Sequence, residues 1–121
     1  MRDDKATEET TMNLEATARQ YFSTFESKNL KGLSTMFAPT VSLKDWNICV
    51  TGHAAVLQAN ADIFENVGDI TVTVQNLYCD GLTVIAQLMI FIDGTNALPV
   101  VDIIQFNPAS KIESIIAYRG N

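Results

Sequence analysis

The chain has 121 residues, 47% of them hydrophobic, and a formal net charge of −6. This length suits about one domain with a real hydrophobic core, and the hydrophobic content excludes global disorder. The acidic balance argues against a nucleic-acid backbone as partner, and no apolar run approaches the roughly 20 residues that span a bilayer. The chain has only two cysteines, Cys49 and Cys79, and one histidine, His53. We therefore expect no disulfide scaffold, no metal and no other cofactor. We also expect reduced thiols and a cytoplasmic location.

The first residues of the chain predict a tail followed by two helices. Residues 1–12 are polar and aperiodic, which is typical of a flexible tail ahead of a single domain over residues 13–121. Apolar residues at three- and four-residue steps predict a first helix over residues 13–27. Asn29 can cap a short second helix, and Pro39 is expected to close it.

A short strand and a third helix complete the first half of the chain. Residues 41–46 alternate between apolar and polar side chains, which predicts a strand. The third helix is predicted to begin after Gly52 and to run to about residue 66. Gly68 fits the position where such a helix stops.

The second half is rich in Ile, Val, Thr and Phe, the residues that favour strands. Four strands are predicted, over residues 70–78, 82–92, 97–107 and 111–118. The turn signals between them are Asp80-Gly81, Asp93-Gly94-Thr95-Asn96 and Asn107-Pro108-Ala109-Ser110. Three consecutive hairpins make an antiparallel meander, and the helices that precede it make the predicted fold class α+β.

Several predicted strands are apolar on both faces. In residues 82–92 the two faces carry different apolar sets, so one face can pack on the helices while the other still needs cover. The simplest cover is a second copy of the same sheet. We therefore expect a homodimer through the outer face of the meander, with Ile85, Val101 and Ile103 among the contacts.

Three polar residues lie on faces that should be apolar: Tyr21 on the first helix, and Asp45 and Asp102 on strands. Burying a carboxylate costs several kcal/mol, roughly, unless it is paired or protonated. The three residues therefore indicate a site, provided that the fold brings them together. Each also has a purely structural interpretation, since Tyr21 can be a packed ring, Asp45 a turn cap and Asp102 a satisfied core group.

Three helices, a short strand and a four-stranded meander resemble the cone-shaped fold of the nuclear transport factor 2-like superfamily, which includes SnoaL-like polyketide cyclases and Δ5-3-ketosteroid isomerases. The stretches that carry the resemblance are residues 21–22, 33–37, 44–45, 52–56, 101–106 and 111–118. The resemblance implies a curved meander sheet packed on three N-terminal helices.

Within the superfamily, the chain is most similar to the ketosteroid isomerases. That resemblance implies that Asp45 is a catalytic base, and that Tyr21 and a protonated Asp102 form the oxyanion hole; this enzyme is itself a standard example of such chemistry. It also implies a hydrophobic small-molecule ligand contacted by Trp46, Phe37, Asn60 and Tyr118. Trp46 stands where the family often has proline, and Phe37 and Asn60 stand where the family often has supporting tyrosines.

The sequence leaves three functions open. One is a cofactor-free isomerase that moves a proton on a hydrophobic ketone through a dienolate intermediate. Another is a SnoaL-like cyclase, lyase or hydrolase that uses the same carboxylates on another substrate. The last is a non-catalytic, dimeric ligand-binding domain on the same fold.

Overall fold

The computed structural model describes residues 3–94 and 96–121, with side chains described from residue 13 onward. The helices are α1 (Asp3–Glu26), α2 (Leu30–Met36) and α3 (His53–Asn66). The strands are β1 (Phe37–Lys44), β2 (Cys49–Thr51), β3 (Ile70–Asp80), β4 (Thr83–Ile92), β5 (Asn96–Phe106) and β6 (Ile112–Arg119). They form one sheet in the order β2-β1-β6-β5-β4-β3. The predicted α+β fold, with an antiparallel meander from β3 to β6, is confirmed.

The first helix is longer than the sequence pattern predicts. It begins at Asp3 and so includes residues 3–12, which the pattern assigns to a tail; residues 1 and 2 lie outside the described residues. Residues 3–12 are almost entirely polar and therefore leave no apolar periodicity in the sequence. The periodicity marks the helix only from the buried Leu14 onward.

The first strand also begins earlier than predicted. The second helix, capped by the Asn29 side chain as expected, ends at Met36, and Phe37 already belongs to β1. Pro39 therefore lies inside a strand. The ladder between β1 and β6 is irregular between Phe37 and Ser42, where a proline without an N–H is tolerated. The three-residue strand β2 was not predicted, because it is too short to show alternation.

Gly68 has a different role from the predicted helix stop. The residue after α3, Val67, is extended, so no left-handed residue ends the helix there. A Cβ on Gly68 would clash with Oδ1 of Asp93, and that oxygen accepts a hydrogen bond from the Asp69 N–H at 2.8 Å. Glycine thus allows a close approach to the β4–β5 turn. Thr95 of that turn lies outside the described residues.

The core lies between the helices and the concave face of the sheet. Alternate residues of β5 point into it, and Val100, Asp102, Ile104 and Phe106 are all buried. The helices α1 and α3 pack against β3 and β1, respectively. No helix in the described part of the chain is long and apolar enough to cross a membrane.

Lys28 ties the two long helices together. It follows α1 in a left-handed conformation, with φ of 57°. Its Nζ donates to the carbonyl oxygens of Phe64 and Val67, which are unsatisfied groups at the end of α3. Nearby, Glu26 Oε2 accepts the Val72 N–H at 2.8 Å, which joins α1 to β3. These contacts fix the end of α1 relative to its neighbours.

We expect Lys28→Ala to lower the free energy of unfolding by about 1.5–3 kcal/mol, since it removes hydrogen bonds from a charged donor. Chemical denaturation followed by circular dichroism measures the change. The matched control is Lys31→Ala, at an exposed position on α2, for which we expect a change within about 0.5 kcal/mol. Equal effects of the two substitutions would contradict the assignment of a tying role to Lys28.

Candidate active site

A cavity of about 240 Å³ lies between α1, α3 and the concave face of the sheet. Its walls are mainly apolar side chains. They include Phe22, Phe25, Leu43, Ile48, Ile63, Ile70, Val72, Leu88, Ile90, Ile92, Leu98, Val100, Ile115 and Ala117. The polar residues that line it are Tyr21, Asp45, Asn47, Asn60 and Asp102, together with Trp46. The fold therefore brings Tyr21, Asp45 and Asp102 to one cavity.

Tyr21 enters the cavity from α1, and aromatic packing fixes its ring. The centroid of the ring lies 5.4 Å from that of Phe22, 6.4 Å from that of Phe25 and 6.3 Å from that of Phe37. Within the described residues, its hydroxyl has no hydrogen-bond partner. Burial, and to a lesser degree the nearby Asp102 carboxyl, raise the pKa of Tyr21, so the phenol keeps its proton.

Asp102 lies on β5, in the middle of the sheet, and is 8% exposed. Its cross-strand neighbours are Ala86 on β4 and Ala117 on β6, small residues that leave the carboxyl uncovered on the cavity floor. No donor or acceptor in the described part of the chain pairs with it. Burial, and to a lesser degree the nearby charge of Asp45, raise the pKa of Asp102 to about 7.

Asp45 follows β1 in the loop before β2 and is half-buried. Its Oδ1 accepts the N–H groups of Asn47 at 2.7 Å and of Ile48 at 2.6 Å, and its own N–H donates to the Ile48 carbonyl at 2.8 Å. The side chain therefore caps a tight turn, one of the roles that the sequence left open. No hydrogen bond from a described residue occupies its Oδ2, so one carboxylate oxygen remains available to a ligand.

The three groups form an electrostatic series across the cavity. The Asp45 carboxylate contributes to the raised pKa of Asp102, and Asp102 contributes to that of Tyr21. Below about pH 7 Asp102 holds its proton, so Asp102 and Tyr21 are both uncharged hydrogen-bond donors. The cavity can thus present two donors to an acceptor atom and one carboxylate oxygen to a proton.

The structure places the other predicted site residues in different positions. Trp46 lines the cavity and is 41% exposed, so it stands at the mouth. Asn60 is buried on α3, where its Nδ2 donates to the Val56 carbonyl at 2.9 Å, and it lines the cavity. Phe37 is buried behind Tyr21 and does not line the cavity. Tyr118 is 59% exposed and is likewise absent from the lining, because alternation along β6 turns it to the outer face.

Sequence reasoning did not identify most of the cavity wall. Ile70 and Val72 on β3, and Ile90 and Ile92 on β4, line the site, but period-two alternation shows only that such residues share a face. It cannot show which part of that face the helices leave uncovered. Within the described residues, no three His, Cys, Asp or Glu side chains are grouped so that they could hold a metal ion.

The fold is similar to those of several solved structures. A candidate ketosteroid isomerase from Kribbella flavida DSM 17836 aligns with a TM-score of 0.80 and 22% identity, over 92% of this chain and 80% of that one. Nuclear transport factor 2 from Cryptosporidium parvum aligns with a TM-score of 0.78 and 15% identity, over 88% and 90% of the two chains. An LEH-like epoxide hydrolase from M. tuberculosis aligns with a TM-score of 0.79 and 10% identity, over 92% and 85%.

These similarities establish the nuclear transport factor 2-like fold, as the sequence resemblance implied. No curated protein is detectably similar in sequence. Residues 18–114, which include most of the chain, match the SnoaL-like domain. The chain therefore belongs to the SnoaL-like domain family.

The raised pKa of Asp102 has a consequence for stability. Between about pH 4 and about pH 7 the folded state keeps a proton on Asp102 that the unfolded state has lost, so stability falls as the pH rises through this window. Asp102→Asn carries no ionisable group at this position and should not lose this stability. We therefore expect its free energy of unfolding to rise relative to that of the parent as the pH increases from 4.5 to 8, by up to roughly 4 kcal/mol. Urea denaturation at several pH values measures the difference.

The control for this measurement is Glu65→Gln, which removes an exposed carboxylate from α3. The difference in free energy of unfolding between this variant and the parent should be constant over the same pH range. If the Asp102→Asn difference were flat as well, Asp102 would not be a buried group that holds its proton in the folded state.

Proposed function

We propose that this protein is a cofactor-free isomerase that moves a proton on a hydrophobic β,γ-unsaturated ketone and forms the conjugated α,β-isomer. One observation carries the proposal. Two uncharged donors without described protein partners, Tyr21 and Asp102, line the same apolar cavity as a carboxylate, Asp45, with a free oxygen. This combination supplies the base and the oxyanion hole that enolisation needs.

The proton transfer uses Asp45. Its Oδ2 takes the proton from the carbon between the ketone and the double bond, and the electrons of the broken C–H bond move into the ketone to form a dienolate. Asp45 then returns the same proton to the γ-carbon, which restores the carboxylate and the carbonyl. The step is redox-neutral and consumes no other reactant. The apolar walls keep water away from the proton in transit.

Tyr21 and Asp102 stabilise the dienolate. Both groups line the cavity and would donate hydrogen bonds to the oxygen on which negative charge develops, and both keep their protons below about pH 7. In an apolar cavity such donors are worth more than in water, and removal of one can cost roughly 10²–10³-fold in turnover. The resemblance to ketosteroid isomerases in sequence, and the similarity in fold to a candidate member of that group, support the assignment.

Two observations favour a second candidate, a SnoaL-like domain with another activity or with ligand binding alone. Asp45 already caps a turn, and Phe37 cannot donate a hydrogen bond that would position the Tyr21 hydroxyl. The same acid and carboxylate could protonate a leaving oxygen and activate water, and an epoxide hydrolase shares the fold. The choice between the candidates depends on whether proton transfer requires Asp45.

We expect Asp45→Asn to abolish isomerisation, because an amide is not a usable base. Asp102→Leu and Tyr21→Phe each remove one oxyanion donor and should lower turnover by roughly 10²–10³-fold, with Tyr21→Phe the milder if water replaces the hydroxyl. The assay follows the ultraviolet absorbance of the conjugated product from a panel of steroidal and smaller β,γ-unsaturated ketones.

Glu65→Gln on the outer surface of α3 is the matched control for lost charge and should retain parental turnover. Absence of activity in the parent on the whole panel would favour the second candidate. An Asp45→Asn variant as active as the parent would exclude Asp45 as the base.

We also propose that the working unit is a homodimer formed through the outer face of the sheet. Tyr78, Ile85, Ile103 and Ile116 stand directly opposite one another on successive strands from β3 to β6. Tyr78 is 58% exposed and Ile85 36% exposed, so nothing within the described residues fully covers this apolar row. A second copy would cover it, and a symmetric interface needs only this one surface.

At micromolar concentration, sedimentation velocity should give a dimer for the parent and a monomer for Ile103→Glu, which places a charge in the centre of the row. Glu113→Lys, an exposed substitution near the start of β6, is the control and should remain dimeric. A monomeric parent would contradict the proposed interface.

A further inference from the structure

A second cavity, of about 360 Å³, adjoins the mouth of the first. The two cavities share Trp46 and Leu98 in their walls. The outer cavity differs in character from the inner one because its charged side chain, Arg119, is a cation, whereas the inner cavity is lined by the carboxyl groups of Asp45 and Asp102. A molecule that fills the inner cavity and continues past Trp46 would enter this outer cavity.

The strand register fixes where Arg119 stands relative to Asp102. Along β6, Ala117 pairs with Asp102, and Arg119 pairs with Val100. Because side chains two residues apart share a face, Arg119 continues the row of Ala117 towards the rim, as Val100 and Leu98 continue that of Asp102. Along the strand, Val100 lies roughly 7 Å and Leu98 roughly 14 Å from Asp102. The cavity floor thus runs from an oxyanion site to a cation.

Arg119 has no anionic partner within the described residues, although the chain is acidic overall. Its guanidinium lies 5.9 Å from the centroid of the Trp46 ring, a contact that orients the group without neutralising it. Three other cations are engaged, since Arg19 pairs with Glu15 while Lys28 and Lys111 donate to carbonyl oxygens, and neither Lys31 nor Lys44 lines either cavity. Arg119 is therefore available to bind an anion at the mouth of the site.

The volume of the inner cavity limits what can be buried there. A cavity of about 150 Å³ holds one benzene ring. The 240 Å³ of the inner cavity therefore suits about two fused rings, and the rest of a larger ligand must lie in the outer cavity.

We infer that the substrate is an amphipathic ketone, with one or two rings buried against Tyr21 and Asp102 and an anionic group, such as a carboxylate, bound by Arg119 in the outer cavity. This inference rests on the proposed function for the ketone and adds the anionic group. Arg119 then acts as a specificity determinant. A neutral ligand of the same shape would leave the positive charge of Arg119 without an anionic partner.

The test uses binding alone, with 6-hydroxy-2-naphthoate and its neutral amide, 6-hydroxy-2-naphthamide. Each carries a hydroxyl for the oxyanion site on two fused rings, and the carboxylate or the amide lies at the opposite end. Trp46 is the only tryptophan of the chain, so its fluorescence reports occupancy of the mouth. We expect the parent to bind the acid about tenfold more tightly than the amide, because a charge-assisted pair is stronger than a neutral one.

Arg119→Gln should reduce the ratio of the affinities for the acid and the amide to about one. Arg119→Lys should keep part of the preference for the acid, since it keeps the charge but loses the bidentate geometry. Arg19→Gln removes the same charge from the exposed side of α1 and should keep the parental ratio. Raising the salt concentration from 0.05 to 0.5 M should weaken the preference in the parent.

Equal affinities for acid and amide in the parent, a preference that survives Arg119→Gln, or no binding of the acid would each overturn the inference. The result is independent of turnover. If the preference depends on Arg119 while no ketone is isomerised, the anion site stands and the proposed reaction fails. If ketones are isomerised without any preference for anions, the reaction stands and the anion site fails.

Discussion

The rest of the site depends on one constraint: an apolar sheet face holds a carboxyl group for which the described residues provide no hydrogen-bond partner. Asp102 lies between alanines on the two neighbouring strands, so nothing from the sheet covers it, and the helices that could do so stand back by the width of a cavity. A group in that position is less costly to bury with its proton than without it. Its character as a hydrogen-bond donor is therefore a property of the fold, and not of a local partner.

The three polar residues are held by different kinds of surroundings. Tyr21 is held by rings, Asp102 by strands and Asp45 by backbone N–H groups of a turn. The first two supports are apolar and favour the neutral form of the group, whereas the turn supplies two hydrogen-bond donors to one carboxyl oxygen of Asp45. One cavity therefore contains two groups that keep their protons and a third whose oxygen already accepts hydrogen bonds.

Much of this arrangement could be predicted from the sequence, and the reasons are local. A polar residue in an apolar row is visible in the alternation around Asp102 and in the helical spacing around Tyr21, and turn signals gave the meander. The start of α1 and the start of β1 were missed, because a polar helix has no apolar stripe and because proline is usually excluded from strands. The position of Phe37 relative to the cavity depends on how the helices pack on the sheet, which no pattern within one element records, whereas alternation along β6 already places Tyr118 on the outer face.

The pairing of β1 with β6 is the one parallel contact of the described sheet, and it has a consequence for the order of assembly. Leu43, two residues before Asp45, aligns with Ile115 on β6. The meander can form from neighbouring hairpins, but this alignment must wait for a long loop to close. The loop that carries Asp45 can therefore take its place beside Asp102 only after β6 has paired with β1, which makes the cavity a late product of folding.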